Sequence, residues 1–179
     1  MSRINIPAIT GAEGAVAQVY SEVRKVAGGG VPNLFAALGH LSPHALSAVL
    51  NAEGVLAGAS LDRKDLETVK LAVSELTGCD YCVAAHHMLG KMAGLSPAAL
   101  AGIRTGTSTG DAKRDALVGF VRTVMTTSGT LSDADVTAVK AAGFTDAQLA
   151  DISLAIGLTV FTNTFNRVND TTVDFPAVK

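Results

Sequence analysis

The apolar residues of this chain recur at spacings of three and four almost from end to end, and alternating runs of strand length are rare. That period repeats one face of an α-helix along the sequence, so the chain is expected to fold as a compact all-α bundle. Val16, Val19, Tyr20, Val23 and Val26 share a face over about residues 12–27, and Gly28-Gly29-Gly30 closes that helix. A short segment from Asn33 to Leu41 follows Pro32. Ser42-Pro43 is an N-cap and first-turn pair for a helix through about Ala59, whose Gly54 and Gly58 would allow close packing. Leu66, Val69, Ala72, Val73 and Leu76 mark a helix from near Asp62 to about Thr77, ended by Gly78, and Asp80 reads as the N-cap of one to about Ala93. Ser96-Pro97 opens a short helix that dissolves in the loop-like run from Thr105 to Gly110. Helices over about 111–128, 132–142 and 145–168 complete the set, with Ser132 and Thr145 as N-caps.

No strong boundary interrupts the 179 residues, so a single domain over 1–179 is expected. Fourteen Lys+Arg against sixteen Asp+Glu leave a formal charge of −2, without the basic footprint that nucleic acid or an anionic membrane requires. Only 4% of residues are aromatic and none is Trp, so the core must be built from Ala, Val and Leu. A mean hydropathy of +0.35 points to apolar surface covered by further copies, hence a homo-oligomer. Leu158, Phe161, Phe165 and Val168, at helical spacing, are read as core or subunit interface, with Asn163 and Asn166 hydrogen-bonding there. The first residues, Met1 to Pro7, lack the apolar stretch of a secretory signal. The longest nearly uncharged run, Ile152 to Asn166, falls short of the ~20 residues of a membrane span. A cytoplasmic location is the expectation.

Chemistry concentrates at the two cysteines. Cys79, Cys82 and His86 form C-x-x-C-x-x-x-H at the predicted start of a helix, where unpaired N–H groups favour a thiolate. His86, four residues beyond Cys82, shares its face and is placed to move the thiol proton. If the preceding helix packs back as a hairpin, Glu67 and Glu75 are the candidate carboxylates, and spacing alone does not choose between them. Against this stand blander readings. The cysteines and His86 could be part of a zinc site, with His40 or His44 completing it, but a fourth ligand is hard to find and surface or capping roles suit those two histidines better. His87 points about 100° away from His86 on a helix and reads as a neighbour. Gly28-Gly29-Gly30 and the Gly106–Gly110 run are loops, since neither follows a strand or carries a Lys in phosphate-loop spacing.

Glu67, the pair Cys79-x-x-Cys82 and His86, in the context SELTGCDYCVAAH, resemble the alkylhydroperoxidase AhpD branch of the carboxymuconolactone decarboxylase-like superfamily. The similarity extends to VPNLFAALGHLSPHAL and to FTNTFNRVNDTTVDFP, as in the peroxidase-related members. The resemblance implies AhpD-like helical architecture and a cofactor-free, metal-free site. It also implies a proton relay in which the glutamate twelve residues before the first cysteine takes part, which selects Glu67. It implies a thiol peroxidase or related disulfide oxidoreductase: one cysteine attacks a small-molecule peroxide, the other condenses with the sulfenic acid, and a dithiol donor, lipoamide-like or thioredoxin-like, reduces the disulfide. Cys82 is expected to attack and Cys79 to resolve. Well-known members carry a histidine between the cysteines, where this chain has Tyr81. Resembling proteins form dimers, trimers or hexamers. The alternatives are the decarboxylase activity of the superfamily's name, whose members generally lack the C-x-x-C, and a non-enzymatic redox sensor or interaction module.

Overall fold

The computed structural model describes residues 2–178, and among them there is no strand. A 3₁₀ turn at Ile9–Gly11 precedes α1 (Gly14–Val26), α2 (Asn33–Leu41) and α3 (Pro43–Ala57). These three pack on one another around Val19, Tyr20, Val23, Leu38, Leu46 and Val49. The larger core belongs to α4 (Arg63–Thr77), which lies against α5 (Asp80–Met92), α6 (Pro97–Thr105), α7 (Ala112–Thr126) and α9 (Asp146–Asn169). The short α8 (Asp133–Ala141) leans on α7.

Local signals start and stop these helices as the sequence suggests. Ser42, Asp62, Ser96, Ser132 and Thr145 each accept a backbone N–H into the first turn of the helix they cap, and Thr145 with Gln148 forms a reciprocal capping box. Asp80 is a correction: it is the first helical residue of α5, and Cys79 is the cap. Gly54 and Gly58 correct another expectation, because a methyl group added at either would meet no side chain. Close packing falls instead at Gly90, where an added Cβ would lie 2.9 Å from Leu100 Cδ2 and 3.1 Å from Leu95 Cδ1. There α5 passes α6 too closely for a side chain.

α4 is buried on every side: all ten residues from Asp65 to Ser74 are covered. The apolar stripe Leu66, Val69, Ala72 and Val73 explains only one face. On the others, the Thr68 and Ser74 hydroxyls donate to carbonyls one turn back, of Lys64 at 2.8 Å and of Lys70 at 2.7 Å. The three charged side chains each find a partner on a different helix. Lys70 meets Glu53 of α3 at 2.5 Å, Asp65 meets Lys113 of α7 at 3.5 Å, and Glu67 meets His86 of α5 at 2.9 Å.

On α9, Phe161 and Val168 of the stripe read as core or subunit interface lie outside the core of this chain, and the buried face is Ile152, Ala155, Ile156, Thr159, Thr162, Asn163, Asn166 and Asn169. No single helix among the described residues is long and apolar enough to cross a membrane.

Gly78, between α4 and α5, has φ +66°, a left-handed conformation that an L side chain resists although nothing crowds the position. Gly78→Ala is therefore expected to cost about 1–2 kcal/mol, whereas Gly54→Ala, in an exposed helix interior, should add up to about 1 kcal/mol. Urea midpoints of the two variants check both signs.

Candidate functional site

The turn at Gly78 sets the site. The Cys79 N–H donates to Ser74 O at 3.1 Å, closing α4, and Cys79 Sγ accepts the Cys82 N–H at 3.4 Å, opening α5. A cysteine thus stands where Ser, Thr, Asp or Asn is usual, and its sulfur takes up one of the N–H groups that a helix start leaves unpaired. The stabilisation that a helix terminus gives to negative charge goes to Cys79 rather than to Cys82, because the amide concerned is Cys82's own.

The two thiols titrate together. A hydrogen bond from the Cys82 thiol, opposed by burial and helped by the Cys82 N–H, holds the Cys79 thiol below the ordinary cysteine range. The same hydrogen bond to Cys79, then burial, then the Cys79 charge push Cys82 far above that range, against a lowering contribution from Asn166. Of the two, Cys79 is thus the thiol whose ionisation the site favours, and Cys82 the one it disfavours. Both cysteines are free thiols.

Three turns back on α4, Glu67 Oε2 lies 2.9 Å from His86 Nδ1. Burial pushes the Glu67 carboxyl up, but the His86 hydrogen bond and charge, with Lys70 and Arg63, outweigh it and hold the group below its usual range. Glu75, the other candidate, is engaged elsewhere: Arg104 donates to both its oxygens, Nε at 3.3 Å and Nη2 at 3.2 Å. His86 shares the face of Cys82 on α5 but makes no hydrogen bond to either sulfur, so its second ring nitrogen is the one turned to other work.

The dithiol is roofed. Cys79 and Cys82 are 2% and 3% exposed, clustered with Leu34 and Tyr81 and covered by Phe35, Phe165 and Phe175. Tyr81 holds the roof in place. Its hydroxyl accepts the Leu34 N–H at 3.2 Å, its ring meets Phe175 edge-on at 5.2 Å, and burial raises its pKa. The C-terminal segment is tied down beside it, where Asn33 N–H donates to Asp174 Oδ2 at 2.8 Å and Asn33 Nδ2 to Thr172 O at 2.9 Å. Under this segment lies a cavity of about 430 Å³, bordered by Gly78, Asp80, Val83, Ala84, Val173 and Phe175 at the start of α5.

Cys79, Cys82, Glu67 and His86 thus lie on one helical hairpin, with Glu67 and His86 in contact and the two thiols in contact. His40 and His44 are exposed on α2 and α3. Among the described residues no three His, Cys, Asp or Glu side chains converge as metal ligands. Asn166 lies inside the site, its Nδ2 3.2 Å from Cys82 Sγ, rather than at an outer face. The signal for it was the spacing of Thr159, Asn163 and Asn166, a polar stripe along an otherwise apolar helix.

The site is thus a buried dithiol at a helix start, backed by a Glu–His pair within an all-helical fold. Residues 43–122, which hold all four of these side chains, match the carboxymuconolactone decarboxylase family. The matched stretch is less than half of the chain, and it is the stretch that carries the AhpD-like resemblance. An uncharacterized peroxidase-related protein from Ralstonia eutropha JMP134, described as an alkylhydroperoxidase AhpD core, has the same fold with a TM-score of 0.84. It is 24% identical, and the match covers 97% of this chain and 92% of that one. A peroxidase-related protein from Silicibacter sp. TM1040 follows at TM-score 0.78 and 21% identity, covering 96% and 91%. The debrominase Bmp8, as a cysteine-to-alanine variant in complex with 2,3,4-tribromopyrrole, superposes with a TM-score of 0.77 at 13% identity, covering 97% and 94%. No curated protein matches the chain.

Two outcomes follow from this geometry. Because the folded Glu67 carboxyl titrates below its unfolded value of about 4.3, it contributes stability above that pH and loses it as pH falls through the folded value. Glu67→Gln should flatten that part of the acid limb in urea midpoints measured from pH 6 downward. Phe175→Ala, which opens the roof, should speed the reaction of the cysteines with a bulky aromatic disulfide by about tenfold or more, since reaction follows thiol access. Stopped-flow release of the aromatic thiolate measures it.

Proposed function

We propose that the chain is a dithiol-dependent reductase of small hydroperoxides, in which Cys79 and Cys82 cycle between dithiol and disulfide. The observation that supports this most is the buried cysteine pair at the start of α5, on the same hairpin as the Glu67–His86 pair. In this reading Cys79, whose thiol is held lower than that of Cys82, is the immediate base for Cys82. Cys82, with the higher pKa, is the stronger nucleophile once its proton has moved.

The Cys82 sulfur attacks the terminal oxygen of the hydroperoxide and the O–O bond breaks. The Cys82 proton passes to Cys79, and the departing alkoxide takes a proton from His86, whose Nδ1–H is held by ionised Glu67. The products are Cys82 sulfenic acid, Cys79 thiol and an alcohol. Cys79 then displaces the hydroxyl of the sulfenic acid, forming the disulfide and releasing water. That His86 makes no hydrogen bond to a sulfur fits a role at the leaving oxygen. An external dithiol, lipoamide-like or on a thioredoxin-like protein, reduces the disulfide and completes the cycle. The likeness to peroxidase-related structures supports this reading at the level of the fold.

Hydroperoxide consumption with dihydrolipoamide is the test. The wild-type chain should turn over. Cys79→Ser and Cys82→Ser should abolish turnover, and His86→Gln and Glu67→Gln should lower kcat/KM by about 10²-fold. Cys79→Ser should accumulate a sulfenic acid on Cys82, trapped and located by peptide mass. Cysteine variants as active as the wild type would refute the reading. A single oxidation without turnover would instead identify a sensor.

A further inference from the structure

Cys82 Sγ has a neighbour that is not on its own helix. Asn166 of α9 donates its Nδ2–H to the sulfur at 3.2 Å. Asn166 is 2% exposed, and its Oδ1 has no hydrogen-bond partner among the described residues. Buried carboxamide oxygens are rarely left in that state, and each such case calls for an explanation. Asn163, one turn earlier and fully buried, also has an unpartnered Oδ1, but its donor differs: its Nδ2 donates to Thr77 Oγ1 at 2.8 Å and Ser74 Oγ at 3.4 Å, fastening α9 to the end of α4, away from the sulfurs. Asn163 joins two helices, whereas Asn166 spends its donor on a reactive sulfur.

We infer that Asn166 is a catalytic residue: its amide N–H stabilises negative charge on Cys82 Sγ as the proton leaves, and its vacant Oδ1 accepts the O–H of the sulfenic acid formed there. This deepens the hydroperoxide reading and rests on it for the second role only. The step is the one balanced above. Cys82 sulfur gains the hydroxyl oxygen, the O–O bond breaks, the Cys82 proton goes to Cys79 and the alkoxide is protonated by His86. A hydrogen bond to a thiolate is charge-assisted and stronger than one to a neutral thiol, so the Asn166 donor favours the reacting form over the resting one. The sulfenic O–H is a donor that the resting thiol lacks, and Oδ1 is the acceptor within reach of the same sulfur's substituent. A hydroperoxide or hydrogen peroxide leaves this O–H on sulfur, so the arrangement selects peroxides that carry a terminal OH over dialkyl peroxides.

The titratable and charged groups around the two sulfurs are each other, Asp80 and Tyr81 on α5, Arg167 on α9 and, beyond Tyr81, Asp174. Substituting Asn166 alters none of them. The test uses the full chain carrying Cys79→Ser, with Asn166→Asp, Asn166→Ala and Asn163→Ala as additional variants. Two rates are followed: alkylation of Cys82 by iodoacetamide against pH, and sulfenic acid formation with cumene hydroperoxide. Asn166→Ala, which removes the donor without adding charge, should move the alkylation midpoint upward and slow Cys82 alkylation at neutral pH about tenfold or more, and Asn166→Asp, which adds a carboxylate beside the sulfur as well, should move it further. Both should slow sulfenic acid formation further than alkylation. Asn163→Ala should lower the urea midpoint and leave the alkylation midpoint where it was. A folded Asn166→Ala chain with an unchanged alkylation profile overturns the inference. Alkylation needs no peroxide, so a shifted profile in a chain inert to every hydroperoxide would overturn the peroxidase reading while keeping the Asn166 contact with the thiolate.

Discussion

Everything around the site follows from the burial of α4 on all sides. A helix in that position has no solvent-facing side for its charged residues, and an unpaired buried charge is far costlier than a paired one. Asp65, Glu67 and Lys70 must each be met by a neighbouring helix, and each is met by a different one. These ion pairs fix how α3, α5 and α7 sit around α4. The pairing of Glu67 with His86 is thus a packing requirement first, and the chemistry draws on it. In the proposed reaction, a carboxylate held in a dry interior would be a fixed electrostatic partner for the imidazole that gives up a proton.

The second constraint is the left-handed turn at Gly78, which leaves only Gly78 and Cys79 between the end of α4 and the start of α5. That abrupt start makes Cys79 the cap and aims the Cys82 amide at the Cys79 sulfur. Helix geometry thereby separates the roles of two identical side chains. One sulfur sits where a helix terminus holds negative charge. The other is buried against it, with the Asn166 donor and on the His86 face of the helix. Tyr81, lying between them, faces away to bind Leu34, Phe175 and the C-terminal segment, so the residue that separates the cysteines also secures the roof over them.

What the sequence made legible was local. Helix spans and the caps at Ser42, Asp62, Ser96, Ser132 and Thr145 depend on residues within one turn, and periodicity and cap chemistry reveal them. The cap at Cys79 was misread as Asp80 because a carboxylate is the commoner cap. The choice between Glu67 and Glu75 was beyond spacing, since it depends on Arg104, which lies 29 positions from Glu75. The resemblance to known AhpD-like sequences had selected Glu67, and that is the carboxylate in contact with His86. The inner face of α9 was missed for a different reason. Hydrophobic periodicity selects the face with the largest apolar side chains, whereas this helix buries Thr and Asn and leaves Phe161 and Val168 outside. The roof joins residues near 34, 81 and 175, contacts that no local pattern encodes.

The central claim is that the two sulfurs act as one two-electron unit. Reduced chain, freed of any added reductant, would be mixed with a single equivalent of hydroperoxide and analysed by intact mass and peptide mapping. The account predicts stoichiometric loss of two hydrogens from the protein, a Cys79–Cys82 disulfide and an equivalent of alcohol. Recovery of both free thiols, or stepwise oxygen addition to one cysteine while the other stays reduced, would contradict it.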